Sequence, residues 1–251
     1  MAFSVLLGMT GALVAASPAS ASTSLKGWML AQGEYDRFTA YYGKPIPVQW
    51  VTCSFYPAGN PSSCPQGRLI RETNYFALVK EINQGRIQNG DSVLADYETW
   101  SQTPRRQQAH PEKYICLTDA LAAKHHLFLI QSPWNPILSV RLKEQEAAAN
   151  CAAKDGTNEV TELQYQGSEV NPARYVQLIR RAVRRLHALA KNARMIGGLA
   201  TDLKNKAVPM RDILRSYRDT KHMLIGYWLN CNTKTAEGVR FFEDIGAIPA
   251  K

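Results

Sequence analysis

The feature that most constrains this fold is an alternation, repeated along nearly the whole chain, of short β-rich runs with longer helical ones. Such alternation specifies parallel strands joined by crossover helices. The strand candidates are 27–32 (GWMLAQ), 47–54 (PVQWVTCS), 92–98 (SVLADYE), 127–132 (LFLIQS), 159–165 (EVTELQY), 194–200 (RMIGGLA) and 222–229 (HMLIGYWL). Helices are expected near 74–84, 104–126, 139–154, 172–192, 209–220 and 236–245. Thr103-Pro104 and Asn171-Pro172 mark two helix starts, each setting a capping side chain before a proline at the first helical position. The stretch 68–74 (RLIRETN) conceals a weak eighth strand. Eight strand-helix units within residues 22–251 match a single-domain (β/α)8 barrel, a fold of typically about 250 residues. The alternative, an open doubly wound sheet, normally has a Gly-rich phosphate turn after its first strand; Gln32-Gly33-Glu34 offers a single glycine.

Residues 3–16 (FSVLLGMTGALVAA) form an apolar run too short to span a bilayer, followed by Ala19-Ser20-Ala21, a small-x-small pattern that suits signal-peptidase cleavage after Ala21. Met1 to Ser4 lack the usual Lys or Arg, so a buried helix is the competing reading. The expectation is a secreted protein with residues 1–21 removed and no membrane span. An oxidising compartment makes the five cysteines candidates for bridges. Cys53 and Cys64 bracket a loop, Cys116 and Cys151 fall on successive helices, and Cys231 is left over. No pair has C-x2-4-C spacing, so neither a metal nor a cofactor is expected.

Lys and Arg outnumber Asp and Glu by 30 to 21, giving a formal charge of +9. An excess of this size predicts attraction to polyanions. Much of it lies between Arg174 and Arg194, where basic residues occupy one side of a helix and Val176, Ile179, Val183, Leu186 and Ala190 the other. A solvated surface and adhesion to an anionic cell-wall polymer are both open readings. Without interleaved aromatics or a recognisable nucleic-acid motif, a nucleic-acid partner is not expected.

Barrel chemistry gathers at the carboxyl ends of the strands. Those ends carry Asp96-Tyr97-Glu98-Thr99-Trp100, Gln131-Ser132-Pro133-Trp134, Gln164-Tyr165-Gln166, Thr201-Asp202 and Tyr227-Trp228-Leu229-Asn230. Rings that stack on sugar faces, amides that take hydroxyls and a few acids make up a carbohydrate site. Asp96 and Glu98 are two residues apart on one strand and so point the same way. Two carboxyls this close push one pKa upward, which leaves a protonated acid near neutral pH. Glu162 and Asp202 are weaker acid candidates, and Glu162, three residues before Tyr165, is expected on the helix side.

The stretch Asp91-Ser92-Val93-Leu94-Ala95-Asp96-Tyr97-Glu98 resembles the D-G-x-D-x-D-x-E strand of the chitinase-like family 18 glycoside hydrolases, with Ser92 and Leu94 departing from it. The resemblance implies a barrel in which Glu98 is the general acid and Asp96 orients the substrate, with Tyr165 near the end of the sixth strand and Trp228 near the end of the eighth as substrate contacts. Gln164, Asn230, Trp100 and Gln131 complete the expected binding set. Muramidase-like barrels also end a strand in D-x-E. The family includes lectin-like and inactive members, so a non-catalytic carbohydrate- or envelope-binding barrel stays open beside the hydrolase.

Overall fold

A computed structural model of the chain describes residues 25–54, 68–203 and 206–250. The expected export segment 1–21 and Cys64 lie outside the described residues. The strands are β1 (Leu25–Ala31), β2 (Val48–Ser54), β3 (Arg68–Glu72), β4 (Ser92–Ala95), β5 (Phe128–Gln131), β6 (Asn158–Leu163), β7 (Met195–Leu203), the short β8 (Lys206–Ala207) and β9 (Gly226–Cys231). The helices are α1 (Gln32–Tyr42), α2 (Tyr75–Asn83), α3 (Arg105–Gln108), α4 (Pro111–Lys124), α5 (Leu138–Asp155), α6 (Pro172–Leu189), α7 (Met210–Thr220) and α8 (Thr235–Asp244).

Strands β1 to β7 pair in sequence and in parallel, and β9 pairs in parallel with both β7 and β1. The sheet is therefore a closed (β/α)8 barrel. Strand β8 is an antiparallel extension outside the ring, with Asp202 opposite Ala207. Closure brings β1 against β9 at two glycines: a Cβ on Gly226 would meet the Gly27 carbonyl oxygen at 1.9 Å, and Gly27 has φ +84. Only glycine fits this crossing.

One apolar side chain from each barrel strand fills the lumen: Met29, Trp50, Leu69, Leu94, Ile130, Val160, Ile196 and Trp228. Trp50 stacks on Phe128 with ring centroids 5.5 Å apart, closing the plug from below. The interior is a packed core, not a pore. Alternate strand residues face the helices and build two further clusters, one around Phe38, Tyr175 and Phe242, the other around Ile70, Tyr97 and Leu129.

Several boundaries differ from the sequence expectation for physical reasons. Residues 68–72 form a full strand. Helix α1 has no side-chain cap at Ala31; Glu34 reaches back instead, accepting from the Ala31 backbone N–H at 3.0 Å. The expected helix 104–126 divides into α3 and α4, because Pro111 opens a new helix at its first turn. Cys116 and Cys151 are joined, tying α4 to α5 with Cα atoms 5.2 Å apart. Cys53 is also disulfide-bonded, and Cys231 is free and buried. Among the described residues no helix is long and apolar enough to cross a membrane.

Candidate functional site

Side chains on a strand alternate, so the residues two positions beyond the lumen plug line the carboxyl-end mouth. They are Ala31, Thr52, Arg71, Asp96, Ser132, Glu162, Gly198 and Asn230. An apolar floor thus gives way within one layer to a polar one. Two further steps bring Glu98 after Asp96 and Gln164 after Glu162. The Trp134 backbone bridges to Glu98, which fixes the loop leaving β4 against the loop leaving β5.

Three carboxyls and one guanidinium dominate this layer. Asp96 is fully buried; Arg71 donates from Nε to Asp96 Oδ2 at 2.6 Å, and its Nη2 also contacts that oxygen. Burial raises the Asp96 pKa, and the Arg71 charge opposes that rise. Asp96 and Glu98 are electrostatically linked neighbours, the charge of Asp96 making Glu98 harder to ionise. Glu98 is pushed up to about 7, first by burial and then by the Asp96 charge, while Arg71 and Arg141 pull it down.

Glu162 is the third carboxyl. It accepts from Ser132 Oγ at 2.6 Å and from Gln166 Nε2 at 3.1 Å, and burial, with smaller contributions from Asp96 and Glu98, holds its pKa well above the usual range. Gln164 Nε2 donates to the Ser132 carbonyl at 3.0 Å. Gly198 makes room for this network, since a Cβ there would lie 2.2 Å from the Gln166 side chain. The result is a cluster of buried acids whose pKa values are all raised, an arrangement suited to proton donation.

The expected site residues are only partly brought together. Asp96, Glu98, Gln164, Trp228 and Asn230 share the lumen side. Trp228, 9% exposed, is part of the plug and so floors the mouth. The buried Asn230 Oδ1 has no hydrogen-bond partner. Trp100 stands on the rim behind Arg71, whose guanidinium lies 5.1 Å from its ring centroid. Tyr165 faces the helices: it is 3% exposed and donates to Gln145 Oε1 of α5 at 3.0 Å. Gln131 also turns outward, donating to Asp119 Oδ2 at 3.0 Å and to the Ile115 carbonyl at 3.1 Å on α4. Neither can touch a ligand in the mouth. Glu162 reverses the expectation that it faces the helix side, because Tyr165 is the outward residue. Asp202 accepts from Asn232 and Thr233 backbone N–H groups at 2.9 Å and 3.0 Å and so organises the turn after β9.

Sequence reasoning missed Arg71, Ser132 and Glu162 as a connected set. The available signal was their common offset of two from Leu69, Ile130 and Val160, which the weak third strand obscured. Arg141 was missed as well; its Nε donates to the Asn135 carbonyl at 2.8 Å, its Nη1 donates to the Gln164 carbonyl, and its guanidinium lies 5.3 Å from the Trp134 ring. A second pair of interacting acids, Asp119 and Glu159, lies on the helix side of the barrel, away from the mouth, where burial raises both pKa values. Among the described residues no three His, Cys, Asp or Glu side chains are placed to hold one metal ion. Set against models of known protein families the chain matches none, and a comparison with curated proteins gives no match either.

Proposed function

We propose that this chain is a secreted glycoside-hydrolase-like barrel acting on a polysaccharide or glycoconjugate. The observation that carries the reading is the interacting Asp96–Glu98 pair, in which burial and the Asp96 charge push Glu98 up to about 7. A carboxylic acid that still holds its proton near neutral pH can give it to a leaving glycosidic oxygen. Asp96, fixed by Arg71, is the neighbouring charge that helps Glu98 keep that proton. This reading assigns Gln164 and Asn230, whose Oδ1 has no partner among the described residues, to substrate hydroxyls, Trp228 to the floor and Trp100 to the rim. The disulfide between Cys116 and Cys151 supports the secreted location, since such bonds persist in oxidising compartments.

A second reading, a carbohydrate- or envelope-binding barrel without turnover, is favoured by Leu94. It sits in the lumen plug at the position where the resembled motif carries an acid. Turnover and calorimetry with chito-oligosaccharides and peptidoglycan fragments, on the wild type and on Glu98→Gln, separate the two. The hydrolase reading expects kcat to fall by two or more orders of magnitude in Glu98→Gln with binding retained. Unchanged turnover removes Glu98 from its role. Binding without cleavage by the wild type supports the second reading, and no binding at all overturns both.

A further inference from the structure

The solvent face of α6 takes no part in the site. It carries Arg174, Arg180, Arg181, Arg184 and Arg185, all exposed, and the helix contains no acidic residue. Its opposite face is anchored in the core by Tyr175, Ile179, Ala182 and Leu186. The basic side chains are therefore held in register by a rigid element. Arg185 is engaged by Glu146 at 2.5 Å, whereas among the described residues no ion pair holds Arg174, Arg180, Arg181 or Arg184. The acids of neighbouring α7 supply nothing to this face, because Asp212 and Asp219 pair with Arg211 and Arg215. Like charges four apart on a helix repel. Arg180 and Arg184 are such a pair, so the bare face is unfavourable until an anion covers it.

We infer that this face docks a linear, base-free phosphodiester polymer of an anionic cell envelope, and that it does so independently of the chemistry at Glu98. Residues four apart rise by about 6 Å along a helix, comparable to the repeat of an extended phosphodiester chain. Each guanidinium fork matches a phosphate through paired N–H donors. Exposed α6 positions carry no Phe, Tyr or Trp, and their one ring, the His187 imidazole, is held against the Ala193 carbonyl at 3.1 Å, so the recognition is of backbone alone.

The test is binding of the full protein to a soluble glycerol-phosphate polymer across a salt series, with single-stranded DNA of equal charge as comparator. The triple variant Arg180→Gln, Arg181→Gln, Arg184→Gln is set beside a control, Arg211→Gln, Arg215→Gln, Arg218→Gln, on α7. Thermal unfolding verifies that both remain folded. The α6 variant should bind at least about ten-fold more weakly, and its log K against log salt slope should shrink by about 2, or about 0.7 per lost phosphate contact. The control should change less than about two-fold. No polymer binding by the wild type, equal losses in both variants, or tighter binding to the DNA than to the base-free polymer would each overturn the inference.

Discussion

Arg71 grips Asp96 and reaches Glu98 beyond it: the guanidinium donates to Asp96 Oδ2 at 2.6 Å, and the Asp96 charge in turn raises the Glu98 pKa. The cation therefore acts on the proposed acid through an intermediary as well as through space. Which carboxyl ionises first is set by this asymmetry, since the group nearest the positive charge is the easier one to keep as an anion.

The first prediction follows from that order. The Arg71 charge lowers the pKa of both Asp96 and Glu98, so Arg71→Met should raise both. With Glu98 as general acid, the alkaline limb of kcat/KM lies near the Glu98 pKa of about 7 and should move upward once the opposing charge is gone. A pH profile of the variant checks this. A limb that stays in place or moves down would remove Arg71 from control of Glu98.

The second prediction concerns the glycine that admits Gln166. A methyl group on Gly198 would lie 2.2 Å from the Gln166 carboxamide, which holds Glu162 Oε1 at 3.1 Å. Gly198→Ala should push Gln166 off Glu162 and destabilise the fold by about 1–3 kcal/mol, the usual cost of overpacking. Loss of that donor should also raise the Glu162 pKa further. Denaturant unfolding combined with a carboxyl-stretch titration would detect both effects, and a variant as stable as wild type would show that Gln166 repacks freely.

The barrel was legible because its strands are short apolar runs separated by helices of ordinary length, and eight such units without a Gly-rich phosphate turn after the first strand favour closure over an open sheet. Which side of β6 faces the lumen was not legible. Val160, Glu162 and Gln164 point inward while Glu159, Thr161 and Tyr165 point outward, so both faces carry polar groups and hydropathy cannot orient them. The D-x-E pair, expected within a strand over 92–98, lies just beyond β4, which ends at Ala95, and escaped this ambiguity because Leu94 in the plug fixes its parity. Helix α1 was invisible for a related reason: its start is secured by Glu34 from within the helix, bonded to the Ala31 and Cys231 backbone N–H groups at 3.0 Å and 2.6 Å, a long-range contact no local signal encodes.

The third prediction is a pH dependence of stability. Glu72 is 6% exposed, and burial, then the nearby Glu81 charge, push its pKa up to about 8. A carboxyl with a folded pKa above its unfolded value of 4.5 contributes fully below that value. Its contribution fades as pH rises toward about 8, because the unfolded chain loses the proton first. Glu72→Gln removes this dependence. The variant should match wild type near pH 4.5 and exceed it near pH 8, with Tm rising about 2–4 °C for each kcal/mol recovered. Paired melts at the two pH values decide it, and an equal shift at both would indicate packing instead of ionisation.

The last prediction tests how much the α4–α5 bond contributes. Cys116 and Cys151 are separated by 35 residues, and a crosslink of that span removes chain entropy from the unfolded state worth about 3–4 kcal/mol. Both cysteines lie against α4 and α5, the two helices that also cover β5 and carry Gln131's partner Asp119 and Tyr165's partner Gln145. Cys116→Ala with Cys151→Ala should therefore lower the denaturation midpoint by the corresponding amount while leaving the Asp96–Glu98 pair in place, since that pair is fixed by β3 and β4. Stability falls and the pH profile of activity stays. If the profile shifts together with stability, the helix layer positions the acids and the separation of scaffold from site proposed for this barrel is wrong.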